Sequence, residues 1–138
     1  MTICVIDASV AVAWAIESEG SGSIDRLFER IGEEGAMVPR LWLIETSNAL
    51  LMAERRGRIS DEQLEGHLSD FERIRLTYDV WVARDLWRET LEFARRHRLT
   101  VYDATYLELA LRTNLPLATL DRELAVAARR EGVDVLIG

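Results

Sequence analysis

Four carboxylic acids stand where a parallel sheet would bring them together: Asp7, Glu45, Asp103 and Asp121. Carboxylates gathered in one place raise one another's pKa and are costly unless a cation neutralises them. Hard divalent cations such as Mg²⁺ or Mn²⁺ prefer oxygen ligands, polarise phosphoryl oxygens and activate bound water. These acids therefore favour metal-dependent hydrolysis of a phosphodiester. Their convergence is inferred from topology, because no local spacing motif establishes it.

Each acid also has a purely structural interpretation. Asp7 and Asp121 both follow a predicted strand, where aspartate is a good N-terminal cap for the next helix. Asp103 is predicted to open a helix, so capping is an alternative there as well. Glu45 lies in a helix that is apolar on most sides, where a shielded charge needs compensation. The alternative for Glu45 is a side chain that faces solvent, and at this stage both interpretations stay open.

Two polar residues could support these acids. Thr119 precedes Asp121 by two residues on a predicted strand, so both side chains point to one face. Its hydroxyl could orient Asp121 or hold a metal-bound water, or it could simply bond nearby backbone. Asn48 lies one helical turn after Glu45 and could hold that carboxylate or a metal-bound water.

The elements that must position these residues alternate along a single domain, 1–138. Predicted strands cover 3–6, 36–38, 77–82, 117–120 and 133–137. Predicted helices cover 10–16, 23–31, 41–55, a stretch that begins at 60, 85–96, 103–112 and 121–130. The stretch 17–23 is predicted to be a surface loop. Such alternation indicates a parallel sheet with helices on both faces, and ligands bind such sheets beyond the carboxyl ends of the strands.

The composition excludes several kinds of site. There are 24 acidic and 17 basic residues in 138, which gives a net charge of −7, and every basic residue is arginine. Without lysine there is no P-loop, no Schiff-base chemistry and no ordinary phospho-acceptor receiver domain. Cys4 is the single cysteine, and His67 and His97 are the only histidines, so thiolate or histidine-rich metal sites are excluded. No signal peptide or membrane-length apolar run is found, which predicts a cytoplasmic protein without membrane contact.

Four segments, in order, resemble the PIN-domain family and, within it, the VapC-type toxins. They are Val5 to Val10, Val38 to Asn48, Tyr102 to Ala110, and Leu117 to Asp121. The resemblance implies a three-layer α/β/α sandwich with a central, mainly parallel sheet. It also implies a Mg²⁺-dependent endoribonuclease, with Mn²⁺ as a possible substitute. Asp7, Glu45, Asp103 and Asp121 match the catalytic and metal-binding acids of the family, and Ser9 and Thr119 match its hydroxyl residues.

The resemblance further implies an RNA substrate, a cognate VapB-type antitoxin and a homodimer. Arg122, beside Asp121, is the best candidate for contact with RNA, whereas the basic runs 55–58 and 95–98 are explained more simply as helix ends. His67 and His97 are predicted at the surface, and the tryptophans in the core or at an interface. The alternatives are a non-catalytic PIN-like module that binds metal or a basic peptide, and a nuclease that cleaves DNA. The RNA target is not predicted.

Overall fold

The structure is a computed structural model that describes residues 2–16, 22–80 and 84–137. The strands within these ranges are β1 (Val5–Ile6), β2 (Ala36–Pro39), β3 (Leu76–Asp79), β4 (Leu117–Ala118) and β5 (Val135–Leu136). The helices are α1 (Ala8–Ala15), α2 (Gly22–Glu34), α3 (Arg40–Arg55), α4 (Asp61–Arg73), α5 (Arg84–His97), α6 (Val101–Thr113) and α7 (Arg122–Arg130). The elements follow the alternation that the sequence predicts.

The strands form one parallel sheet in the order β3-β2-β1-β4-β5, with β1 at its centre. Val5 is level with Met37 of β2 and with Leu117 of β4, so these three strands end close to one another. The chain must return along a face of the sheet before it can begin another parallel strand, and the helices form these crossover connections. The carboxyl ends of all five strands consequently lie along one edge.

Both faces of the sheet are covered, because residues that point to opposite faces are equally buried. Val5 and Ile6 in β1 are fully buried, and so are Leu117 and Ala118 in β4. Among the helices, α1 packs against α2, α3 and α4. Helix α6 packs against α5, α7 and the strands β1, β2 and β4. This arrangement confirms the predicted α/β class with a parallel sheet between helices.

Several boundaries differ from the sequence prediction. Helix α6 begins at Val101 rather than at Asp103, because the Thr100 hydroxyl accepts a hydrogen bond from the Asp103 backbone N–H and forms the cap. Asp103 therefore lies inside the first turn, and the capping interpretation for it is wrong. Strand β4 ends at Ala118, two residues early. Residue 82 and most of the predicted loop 17–23 lie outside the described residues, while Gly22 and Ser23 begin α2.

The tryptophans divide between the core and the surface. Trp42 is fully buried with its ring edge toward Phe71 at 5.7 Å, and Trp14 stacks on Phe28 with 4.4 Å between ring centroids. Trp87 is 76% exposed, and Trp81 lies outside the described residues. Cys4 is fully buried in the core, and burial raises the pKa of its thiol to about 12, so it packs as a small apolar residue. None of the helices in the described ranges has the length and apolar character needed to cross a bilayer.

Candidate active site

Asp7 lies directly after the central strand and is both a helix cap and a buried acid. Its Oδ1 accepts hydrogen bonds from the Val10 backbone N–H at 3.2 Å and the Ser9 hydroxyl at 2.6 Å. Its Oδ2 accepts a hydrogen bond from the Thr119 hydroxyl. The residue is only 4% exposed, and burial raises the pKa of the carboxyl, although these three hydrogen bonds oppose the shift. The capping interpretation of Asp7 is correct, and it is compatible with a role in a site.

Ser9 and Thr119 connect the segments that follow β1 and β4. The Ser9 hydroxyl accepts a hydrogen bond from the Leu120 backbone N–H at 3.1 Å, while donating to Asp7. The Thr119 hydroxyl accepts one from the Asp121 backbone N–H at 3.0 Å, while donating to Asp7. Both hydroxyls thus fix the position of one carboxylate relative to the backbone that carries Asp121. Of the alternatives for Thr119, the structure shows the bond to nearby backbone, at the Asp121 N–H, and adds a bond to Asp7 that the sequence did not predict.

Asp103 and Asp121 approach the same place from α6 and α7. Asp121 caps α7, because its Oδ1 accepts a hydrogen bond from the Leu124 backbone N–H at 2.9 Å. The pKa of Asp103 is raised to about 6, first by burial and then by the negative charges of Asp121, Asp7 and Glu45. The structure therefore brings the four predicted acids into one electrostatic cluster, which we call the acid cluster.

Glu45 is held by a residue that the sequence analysis did not single out. The hydroxyl of Tyr106, on α6, donates a hydrogen bond to Glu45 Oε1 at 2.6 Å across 61 positions of sequence. Tyr106 is fully buried, and its pKa is raised by burial and then by the bond to Glu45. Asn48 is exposed, and no hydrogen bond joins it to Glu45 in the described part of the chain. Tyr106 stands one turn after Asp103, a spacing that could have identified it as a neighbour of the cluster.

The carboxylate oxygens of the acid cluster are suitable ligands for a hard cation, but in the described residues they are not placed to hold one ion together. The cluster offers only oxygen ligands, which Mg²⁺ and Mn²⁺ prefer. No basic side chain lies within 4.0 Å of its carboxylates among the described residues. Within the same ranges, no three acidic, histidine or cysteine side chains are placed to hold one metal ion together. A cation would have to draw the carboxylates closer.

Arg122 follows Asp121 at the start of α7, and the basic run 95–98 lies at the end of α5. Arg122 is exposed in a cavity of about 310 Å³ that Arg98 and Arg130 also line. Arg96 instead pairs with Glu131 and Glu92 at 2.7 and 2.8 Å. The prediction that His97 lies at the surface is wrong, because its imidazole is only 6% exposed. Its Nε2 lies 3.8 Å from Glu131, just after α7, a contact across the chain that a local sequence pattern does not reveal.

Residues 4–130 match the family described as PIN domain. The chain belongs to the PIN-domain family, as the four resembling segments predicted. Ribonuclease VapC3 of Pyrobaculum aerophilum is 29% identical to this chain over 121 residues, which cover 88% of the chain and 91% of that protein. Ribonuclease VapC1 of Mycobacterium tuberculosis is 32% identical over 130 residues, which cover 92% of each.

Solved structures agree with the fold. PAE2754 from Pyrobaculum aerophilum superposes with a TM-score of 0.68 and 26% identity, covering 98% of this chain and 90% of that one. A toxin–antitoxin complex from Klebsiella pneumoniae superposes with a TM-score of 0.59 and 12% identity, covering 88% of this chain and 89% of the other. At so low an identity the second likeness shows the fold alone. The predicted fold class and family are therefore confirmed.

Proposed function

We propose that this protein is the toxin of a toxin–antitoxin pair and hydrolyses RNA phosphodiester bonds with the help of a divalent cation. The observation that carries the proposal is the acid cluster, in which Asp103 responds to the charges of three other carboxylates. The relatives that match nearly the whole chain are named ribonucleases, which supports RNA as the substrate. Mg²⁺ is the proposed cation and Mn²⁺ a substitute, because the donors are carboxylates.

Asp7, Glu45, Asp103 and Asp121 would hold the cation and are the proposed catalytic acids. When bound, the cation would neutralise the phosphate charge and lower the pKa of an attacking water. Attack at phosphorus breaks the bond to the 3′-oxygen, so the products carry a 3′-hydroxyl and a 5′-phosphate. The chain's own contribution is to fix two of the ligands before substrate arrives. Ser9 and Thr119 fix Asp7 through its two oxygens, and Tyr106 fixes Glu45 through one.

An antitoxin is the proposed protein partner, and apolar side chains around the acid cluster support one. Ile44, Tyr102 and Leu120 each precede an acid of the cluster in the sequence, and all three are exposed. Exposed large apolar side chains that lie near one another are typical of a surface that a protein partner covers. A basic group from that partner would supply the positive charge that the cluster lacks. Trp87 and Leu91, one turn apart on α5, form a second exposed apolar patch and are our candidates for a homodimer contact. The cytoplasmic location stays a prediction.

The test compares the parent protein with Asp7→Asn on structured RNA in the presence of Mg²⁺. The matched control is Asp61→Asn, which makes the same change at an exposed position in the first turn of α4. We expect the parent and the control to cleave RNA, Asp7→Asn to lose cleavage, and EDTA to stop it. Equal cleavage by parent and Asp7→Asn, or cleavage that survives EDTA, would contradict the proposal. Absence of cleavage in all three proteins would favour a non-catalytic module, and cleavage of DNA alone would favour a DNA nuclease.

A further inference from the structure

A basic groove lies between the end of α5 and the exposed side of α7, beside the acid cluster. Arg98, Arg122 and Arg130 line it together with His97 and Glu123, around a cavity of about 310 Å³. Arg122 follows Asp121 directly in the chain, so the end of the groove at Arg122 is the end nearest to that acid of the cluster. We use the name basic groove for this surface.

The three arginines of the basic groove have no ion-pair or hydrogen-bond partner in the described ranges. Other exposed arginines in these ranges, such as Arg40, Arg88 and Arg129, also lack such a partner, so what distinguishes the three is that they line one cavity together. Other arginines do find partners: Arg112 binds Glu108 and Asp79, and Arg96 binds Glu131 and Glu92. His97 Nε2 likewise has no hydrogen bond in this part of the structure, and Glu131 lies 3.8 Å from it.

The backbone at Arg98 shows that arginine is not the easiest residue for its position. Arg98 has φ of 54°, in the left-handed region just after α5. Asn114 and Gly132 hold the corresponding positions after α6 and α7, with φ of 55° and 82°. Glycine and asparagine are the residues that such helix ends prefer. An arginine there keeps its charge in the groove at some conformational cost.

The spread of the charges indicates an extended anion. Arg122 and Arg130 are eight positions apart on one helix, which places their backbones about 12 Å apart. Guanidinium groups distributed over such a length match successive phosphates of a nucleic-acid strand, whereas a single phosphate would need them to converge. Glu123 is the one carboxylate lining the groove in the described residues, so positive charge prevails there.

We infer that the basic groove binds the phosphodiester backbone of the RNA strand next to the bond that is cleaved. The inference rests on the proposed function for its choice of substrate. It gives the acidic chain a place where RNA is attracted rather than repelled, at the edge where Asp121 stands. Contacts to phosphate position a strand without reading its sequence, so the groove sets affinity and not the choice of cleavage site.

The test measures binding of a fluorescein-labelled, single-stranded RNA of 20 nucleotides by anisotropy in EDTA, from 50 to 200 mM salt. The groove variant is Arg122→Gln with Arg130→Gln. The control variant, Arg88→Gln with Arg129→Gln, removes the same charge from exposed positions outside the groove on α5 and α7. We expect the groove variant to lose about tenfold in affinity at 50 mM salt and its salt slope to fall by about 1.4, while the control stays within about twofold of the parent.

A third variant separates binding from folding. Arg98→Gly should weaken RNA binding by about threefold while its melting temperature stays equal to or above that of the parent, because glycine suits the left-handed backbone. Equal affinities for groove and control variants would overturn the inference, as would failure of the parent to bind RNA at 50 mM salt. A groove that holds an acidic segment of a partner protein would likewise leave RNA affinity unchanged. If the groove variant loses binding but the parent cleaves no RNA, the proposed function fails, whereas the binding of an RNA backbone by the groove stands.

Discussion

Two groups of buried or partly buried carboxylates in this protein are compensated in opposite ways. In the first, Glu108 and Asp79 share Arg112, whose Nε lies 2.6 Å from Glu108 and whose Nη2 lies 2.6 Å from Asp79. These hydrogen bonds raise the pKa of Arg112 above its ordinary value. In the second group, the acid cluster, Asp7 is as buried as Glu108, at 4% exposure each, yet its partners are two hydroxyls and a backbone N–H.

A structural acid and a functional acid differ in where their counter-charge comes from. A buried carboxylate that serves the fold has its counter-charge within the chain, because an unpaired buried charge is strongly destabilising. The acid cluster lacks a counter-charge within the described residues. Burial raises the pKa of Asp7 and Asp103, and the negative charges of neighbouring acids add to the shift of each. Repulsion of this kind is retained where a charge from outside the chain is to be bound, which in our account is a divalent cation.

The largest expected effect comes from Asp103→Asn, which should have opposite consequences for activity and stability. Removing one ligand should lower RNA cleavage in Mg²⁺ by about a hundredfold or more. Removing one of four like charges should raise the melting temperature in EDTA by a few degrees, roughly 1 kcal/mol of stability. Cleavage assays and thermal unfolding check the two halves. Asp134→Asn, at an exposed position before β5, is the control that should change neither. A fall in melting temperature would show that Asp103 serves the fold.

Arg112→Leu should lower the stability of the protein, because Glu108 and Asp79 then lose the cation that neutralises them. We expect a loss of about 3 kcal/mol in the free energy of unfolding, measured by urea denaturation. The control is Arg73→Leu, whose pair with Asp70 is exposed and 3.5 Å long, and which should cost less than about 1 kcal/mol. If Arg112→Leu and Arg73→Leu cost the same, the contrast between the two groups of acids is not energetic.

Tyr106→Phe tests whether the hydroxyl of Tyr106 positions Glu45 for metal binding. The ring stays, but Glu45 loses the hydrogen bond that positions it, so cleavage should fall about tenfold. More Mg²⁺ should be needed for half-maximal activity, a change that a merely structural role would not produce. Stability should fall by about 1 kcal/mol. Tyr78→Phe is the matched control, because it removes the hydroxyl of a tyrosine that is exposed on β3. An unchanged Mg²⁺ requirement would assign Tyr106 to packing alone.

The smallest effect concerns pH without a divalent cation. The pKa of Asp103 is about 6 in the folded protein, above the ordinary value of 3.8, so the folded state binds the proton more tightly. Stability therefore falls as pH rises from about 4 to 6, and it recovers as pH is lowered through the same range. Urea denaturation at pH 7 and pH 5 in EDTA should show the Asp103 contribution as a difference that Asp103→Asn abolishes. The same pH dependence in the variant would exclude Asp103 as its source.

The sequence predicts the fold well because alternating apolar runs and helical patterns are local signals. It predicts that the four acids lie near one another, because three of them follow a strand or open a helix and topology brings such positions to one edge; their role as metal ligands stays a prediction. It misses what depends on distant packing. Tyr106 meets Glu45 across 61 positions, and Arg112 meets Asp79 across 33, so no local pattern connects them. The alternative in which Asp103 caps α6 is wrong for a local reason: Thr100 caps the helix, which therefore begins two residues before Asp103.

The most direct test of the central claim is the anomalous diffraction of Mn²⁺ in crystals of the parent protein. Our account predicts a manganese ion in contact with carboxylate oxygens from at least three of Asp7, Glu45, Asp103 and Asp121, which will have moved together to hold it. Manganese found only at other acids, with the cluster still apart and empty, would contradict the claim that these four residues form the metal site.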